Sequence, residues 1–214
     1  MERKVSGFDD LLDGYRRFRK QDWARQRARW AELADGQSPR TLVIACSDSR
    51  VDPSQIFDVS PGEIFVVRNV ANLVPPFERD TSRHGVSAAV EFAVTQIPVS
   101  EIVVLGHEYC GGCKAAMTRA FAGAEPGEGG FIAHWVDMLD DARDTVVAHH
   151  GHDDAAERAL EHEAVKVSLA NLRSFPFVLA AETAGTLRLR GAWFGIREGE
   201  LKLLDEASGT FHPA

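Results

Sequence analysis

Two short apolar runs constrain this chain most, because each ends on a residue that binds soft metals. Thr41-Leu42-Val43-Ile44-Ala45 leads directly into Cys46, and Glu101-Ile102-Val103-Val104-Leu105 leads through Gly106 into His107. Runs this short, continuously apolar and rich in β-branched residues read as strands buried on both faces. Open α/β sheets place their sites at the carboxyl ends of such strands. Glu63–Val67 is a third run of the same kind, and helical stretches interleave with all three. The pattern predicts an α/β fold: one domain with a mostly parallel central β-sheet flanked by helices.

Residues 8–34 read as a helix, with Phe8, Leu11, Leu12, Tyr15 and Phe18 on one stripe near 3.6-residue spacing. Trp23, Trp30 and Leu33 continue it less regularly, and Gly36-Gln37-Ser38-Pro39 ends it. Further helices are predicted over Gly85–Gln96 and from near Gly112 to Phe121. Residues 122–130 read as a loop. Helices over about 131–148 and 153–174 follow, separated by His149-His150-Gly151-His152, and Pro176 starts another that ends near Gly185. Leu187–Phe194 and Leu201–Leu204 read as the last strands. The division expected is an N-terminal helical arm over 1–36, suited to packing on a partner subunit, and an α/β domain over 37–214.

Cys46-Ser47-Asp48-Ser49-Arg50 and Gly106-His107-Glu108-Tyr109-Cys110-Gly111-Gly112 carry the chemistry. Two thiolates and an imidazole are ligands that Zn2+ prefers. A structural zinc is closed by four protein ligands, whereas three leave a position for water or substrate. Cys110 sits at a predicted helix start, where unpaired N–H groups and the positive dipole end favour a thiolate. Gly111 and Gly112 let backbone approach a ligand closely. Asp48 and Arg50 stand where they can manage the fourth position.

These residues also carry a resemblance. Cys46-x-Asp48-x-Arg50, followed by His107-x-x-Cys110-Gly111-Gly112, matches the zinc motifs of the β-class carbonic anhydrases without substitution. Pro61-Gly62-Glu63, the run Phe65–Asn72 and the run Glu163–Leu172 also read like that family, and the likeness spans roughly residues 30 to 205. It implies reversible hydration of CO2 to bicarbonate and a proton by a zinc-bound hydroxide, with one Zn2+ per chain on Cys46, His107 and Cys110. Asp48 would accept the hydroxide's hydrogen bond, and Arg50 would keep Asp48 ionised and off the metal. The resemblance further implies substrate contacts at Gln37, reaching a neighbouring subunit's pocket, at Phe65, Val70 and Phe92 on the apolar wall, and at the Gly111 N–H. Phe92 replaces a tyrosine often found there. Val43 stands where bicarbonate-regulated members carry a tryptophan, which favours the plant-like, open-site subgroup, although Arg68 is present.

Composition sets the surroundings. A formal net charge of −8, from 24 basic and 32 acidic residues, argues against nucleic-acid or anionic-membrane surfaces. No apolar stretch approaches the roughly 18–20 residues of a membrane span. Met1-Glu2-Arg3-Lys4 does not read as a secretory signal, and three cysteines make no disulfide framework. The cytoplasm and a homodimer, or a larger homo-oligomer built from dimers, are expected, with CO2 and bicarbonate as small-molecule partners.

Several residues have plainer readings. Cys113 reads as packing, since the resembled family does not use that position, and a fourth thiolate would close the site. His149, His150 and His152 read as a solvated loop, and His134 and His162 as ordinary helix residues. His84 is a candidate proton carrier, while Trp23 and Trp30 read as packing or interface residues. Two other functions compete: a carbonyl sulfide or carbon disulfide hydrolase on the same zinc, and a structural or redox-sensing zinc protein using Cys113. Asp48 and Arg50 argue against the second.

Overall fold

Alternating strands and helices in this chain form a six-stranded sheet in the order β2-β1-β3-β4-β5-β6. The computed structural model describes residues 7–80 and 82–214, so the Met1–Lys4 start lies outside the described residues. Two units divide at Ser38 and Pro39.

The first unit holds α1 (Phe8–Phe18), a π-helical turn over Arg19–Trp23, and α2 (Arg27–Asp35). A single helix over 8–34 was predicted, and the break has a reading in the spacing. The apolar stripe skips the four residues Arg19–Asp22 between Phe18 and Trp23, where a wider turn intervenes. Phe18 and Trp30 then meet edge to face at 5.8 Å, so α2 folds back toward α1. Phe8, Leu11, Tyr15 and Phe18 are all exposed.

The second unit holds the sheet. β1 (Thr41–Cys46), β2 (Ile64–Asn69), β3 (Glu101–His107) and β4 (Arg188–Gly195) pair in parallel, and β5 (Glu200–Asp205) and β6 (Thr210–Pro213) add antiparallel at one edge. Side chains alternate across the sheet. Leu42 and Ile44 of β1 therefore join the main core with Ile102 and Val104, while Val43 and Ala45 join a smaller cluster with Leu105 and Ala192. The buried face of α8 (Asp154–Ser174) carries Leu160, Ala164, Val165, Leu169 and Leu172, and the Asp153 carboxylate caps its start by accepting the Ala156 N–H. Among the described residues, no single helix is long and apolar enough to cross a membrane.

The chain leaves β1 for β2 on one side and returns to β3 on the other. Strand order thus reverses between β1 and β3, and the crevice beyond their carboxyl ends is where open sheets bind ligands.

Several boundaries differ from the sequence reading. Residues 85–96 form α4 (Gly85–Glu91) and a π-helical turn over Phe92–Gln96. α5 (Gly111–Thr118) stops three residues early because Arg119 turns left-handed at φ 50°. The helix predicted over 131–148 is two, α6 (Gly130–Val136) and α7 (Asp140–His150), divided by a 3-10 turn over Asp137–Leu139. His149 and His150 therefore sit in the last turn of α7 rather than in a loop, and His149 Nδ1 donates to the Thr145 carbonyl. α9 (Pro176–Thr183) follows α8 as predicted. Short α3 (Pro53–Ile56), a 3-10 turn over Val70–Asn72 and β6 were not foreseen: each is shorter than the repeat that periodicity needs.

Candidate metal centre

Cys46 closes β1 and His107 closes β3, two strands in parallel register with Ala45 opposite Leu105. Two residues separate His107 from Cys110, and the chain covers them in a tight turn with Tyr109 left-handed at φ 56°. Cys110 then caps α5. Cys46, His107 and Cys110 are all buried, and their ligand atoms lie within 4.8 Å of one another.

Three observations test whether a metal fits. The Cys46 and Cys110 sulfurs stand 3.9 Å apart. Two sulfurs each bonded to a tetrahedral zinc at about 2.3 Å stand about 3.8 Å apart. His107 donates Nδ1–H to the Glu108 carbonyl at 2.8 Å, which leaves the Nε2 lone pair for a ligand. That Nε2 is buried with no oxygen or nitrogen partner. Finally, neighbouring sulfurs and burial make the thiols resist ionisation. The Cys110 sulfur and burial push Cys46 up to about 12, only partly offset by His107, and Cys113 and burial push Cys110 up as well. A divalent cation reverses that cost. The residues fit Zn2+ with a position to spare.

Asp48 lies beside this centre, locked by Arg50. Nε donates to Oδ1 at 2.9 Å, Nη2 to Oδ2 at 2.6 Å, and the Arg50 backbone N–H to Oδ1 at 3.0 Å. The guanidinium holds the carboxyl well below the usual carboxylate range. Arg50 Nη2 also reaches the Tyr109 carbonyl at 3.0 Å, tying the pair to the second ligand segment. Arg68 fastens the first: it donates to the Cys46 carbonyl, the Asp48 carbonyl and the Asp52 carboxylate.

The remaining predicted residues fall in three places. Phe65 and Phe92 pack at 6.0 Å between centroids, with Phe92 46% exposed. Val70 opens the 3-10 turn that lies against α5. A Cβ on Gly112 would meet Val70 Cγ1 at 2.6 Å and Ala71 Cβ at 2.8 Å, so only glycine permits this approach. Gly111 starts α5 with open space where its Cβ would be. Gln37 is exposed and belongs to the N-terminal unit. Cys113 is buried in the packing around α5 and is not one of the three clustered ligands.

Sequence reasoning missed a buried polar group behind the ligands. Glu161 of α8 accepts the Cys110 N–H at 3.1 Å, Arg158 Nη1 at 2.7 Å and Trp193 Nε1 at 3.2 Å. Burial pushes its carboxyl up, against the pull of Arg158. Arg158 Nη2 reaches Glu108 Oε1 at 2.9 Å, and Glu108 Oε2 accepts the Arg197 N–H. The signal was available: Glu161 interrupts the apolar face of α8 between Leu160 and Ala164.

Comparison with known proteins agrees with this geometry. Residues 41–201 match the family model described as carbonic anhydrase. A carbonic anhydrase of Pseudomonas aeruginosa is 38% identical over 203 residues, 94% of this chain and 90% of that protein. The solved β-carbonic anhydrase CcaA superposes with a TM-score of 0.89 at 29% identity, covering 96% of this chain and 91% of that one. A structure described as one of two tetrameric β-carbonic anhydrases from Sordaria macrospora gives 0.77 at 26% identity, over 92% and 96% of the two chains.

Proposed function

The chain belongs to the β-class carbonic anhydrases, enzymes of CO2 hydration, and on that premise we propose which of its residues do the work. Cys46, His107 and Cys110 hold the zinc that the family uses, and Asp48 with Arg50 governs the reacting water. When bound, Zn2+ supplies Lewis acidity that makes water a nucleophile near neutral pH.

Counting lone pairs supports the role proposed for Asp48. A carboxylate offers about four acceptor sites. Oδ1 spends two on Arg50 and Oδ2 spends one, so a single site remains, on Oδ2. That site accepts the hydrogen of the attacking water and turns its lone pair toward the substrate carbon. Arg50 keeps the acceptor ionised and aimed, and Tyr109 fixes Arg50 in turn. Phe65, Val70 and Phe92 supply an apolar wall suited to an uncharged substrate, and the Gly111 N–H meets the anionic product at a helix start.

We infer the open-site subgroup as the finer reading. Asp48 is already occupied by Arg50, all three donors described for Arg68 serve protein acceptors, and Val43 is buried in β1. Gln37 completes a neighbour's pocket in a homodimer or a larger assembly of dimers. The exposed stripe on α1 supports this, as does the tetrameric description of the Sordaria macrospora relatives. Three cysteines without a disulfide suit the cytoplasm. The observation carrying the whole reading is the buried, unpartnered His107 Nε2 among two sulfurs beside an Arg-locked carboxylate. A stopped-flow CO2 hydration assay on zinc-loaded protein tests it, and an inactive protein holding one zinc per chain would overturn it.

A further inference from the structure

We propose that Glu161, anchored by Arg158, is the positioning residue of the ligand turn His107–Cys110. It fixes the Cys110 sulfur for the metal through the Cys110 backbone N–H. The inference rests on the zinc reading above and adds the group that sets the geometry of that site.

Cys110 precedes the first turn of α5, so its N–H has no helical partner, and its surroundings are dry. Glu161 Oε1 is the acceptor that satisfies it. A carboxylate 4% exposed on an otherwise uncharged buried helix face is costly unless fully paired. Arg158 and Trp193 complete the pairing at Oε2, and the Arg158 guanidinium also lies 5.1 Å over the Trp193 ring. Nothing about packing α8 on the sheet calls for a charge here; an apolar residue would fill the face.

Arg158 reaches the other end of the same turn. Its Nη2 holds the Glu108 carboxylate, whose own backbone carbonyl accepts the His107 Nδ1–H. One guanidinium thus spans the residue that orients the imidazole and the residue that orients the thiolate. Between them Tyr109 is left-handed, a conformation kept only where surroundings over-determine it. Arg50 on its carbonyl, Arg197 on its hydroxyl and Arg158 over its ring supply that constraint. Partners of this kind around metal ligands are worth about 10–100-fold in metal affinity.

Glu161→Gln tests the assignment, since an amide cannot accept at both ends from three donors. Zinc affinity is read by chelator competition, and the ligand field by absorption of the Co2+-substituted protein. We expect zinc binding about 10–100-fold weaker and altered cobalt–thiolate bands. A purely structural Glu161 would destabilise zinc-loaded and zinc-free protein alike, leaving affinity and spectrum unchanged. Arg158→Lys breaks the bridge while leaving Glu161 in place, and carries the test if Glu161→Gln does not fold; a smaller loss in the same direction is expected. A zinc-binding, active wild type with wild-type affinity and spectrum in the folded variant overturns this inference alone. A wild type that binds no zinc overturns the site reading and this inference with it.

Discussion

Replacing Asp48 with asparagine removes one acceptor and little volume, which makes it a direct probe of the proposed chemistry. The wild-type carboxylate takes three N–H bonds from Arg50 and keeps one site on Oδ2. An amide cannot reproduce this in either orientation. With its oxygen at the Oδ1 position, the NH2 faces Arg50 Nη2 and the spare acceptor becomes a donor. With its oxygen at the Oδ2 position, the NH2 meets both Nε–H and the backbone N–H. The reacting water therefore loses either its acceptor or the geometry of that acceptor. A positioned proton-handling group is worth about 10²–10⁴-fold, or roughly 3–5 kcal/mol of barrier at 1.36 kcal/mol per tenfold.

Zinc content should stay near one per chain, because Cys46, His107 and Cys110 are untouched. Stopped-flow CO2 hydration with an indicator dye, run beside metal analysis on the same preparation, separates the two effects. Wild-type-like turnover in zinc-loaded Asp48→Asn would refute the reasoning. So would loss of zinc in step with activity, which would make Asp48 a metal-site residue instead.

Cys46→Ser and Cys110→Ser should lose zinc, whereas Cys113→Ser should keep it; equal loss in all three would favour a four-ligand structural site. Light scattering should find at least a dimer, joined across surface such as the Phe8, Leu11, Tyr15 and Phe18 stripe; a fully active 23.5 kDa monomer would contradict this. His162, packed between Trp193 and Phe211 and facing Lys166, Lys202 and Arg158, is depressed from 6.5 to about 4, with burial the largest cause. Its contribution is fully present above pH 6.5 and shrinks as pH falls toward 4, because the unfolded chain binds the proton and the folded chain does not. At pH 5 that amounts to about 2 kcal/mol, so His162→Phe should flatten the stability loss between pH 7.5 and 5 in denaturant titrations. An equal loss in both proteins would count against it.

The parallel sheet and the clustering of Cys46, His107 and Cys110 were both legible in the sequence, and for the same reason. Continuous apolar runs such as Thr41–Ala45 can be buried only in a covered sheet, and a metal-binding residue at the end of each places the site at the strand ends. What was illegible depends on tertiary partners. The breaks at Arg19–Trp23 and Asp137–Leu139 leave helical propensity on both sides, so a periodic pattern runs straight through them. The left-handed Tyr109 and Ala71 carry no glycine to announce a positive φ; contacts from distant arginines and from the close approach of Gly112 hold those turns.

Glu161 shows where such reasoning stops and how it extends. From sequence, a glutamate in an apolar helix face is an anomaly without an address, because its partner N–H lies 51 positions away on the chain. The fold supplies the address. α8 packs behind β3 and β4, so the one charged position on its buried face meets the Cys110 N–H, which precedes the first turn of α5. The zinc motif read along the chain names the atoms proposed to touch the metal. The residues that fix those atoms are scattered over α8, β4 and the segment after it, and become visible only once buried polar groups are paired one by one. The same pairing separates His107 from His162. Both have a buried, unpartnered Nε2, but the His107 nitrogen stands among two sulfurs, whereas His162 packs between aromatic rings with cations around it. Burial alone would have flagged both as ligands; the neighbours suit one to a metal and make the other a neutral core residue.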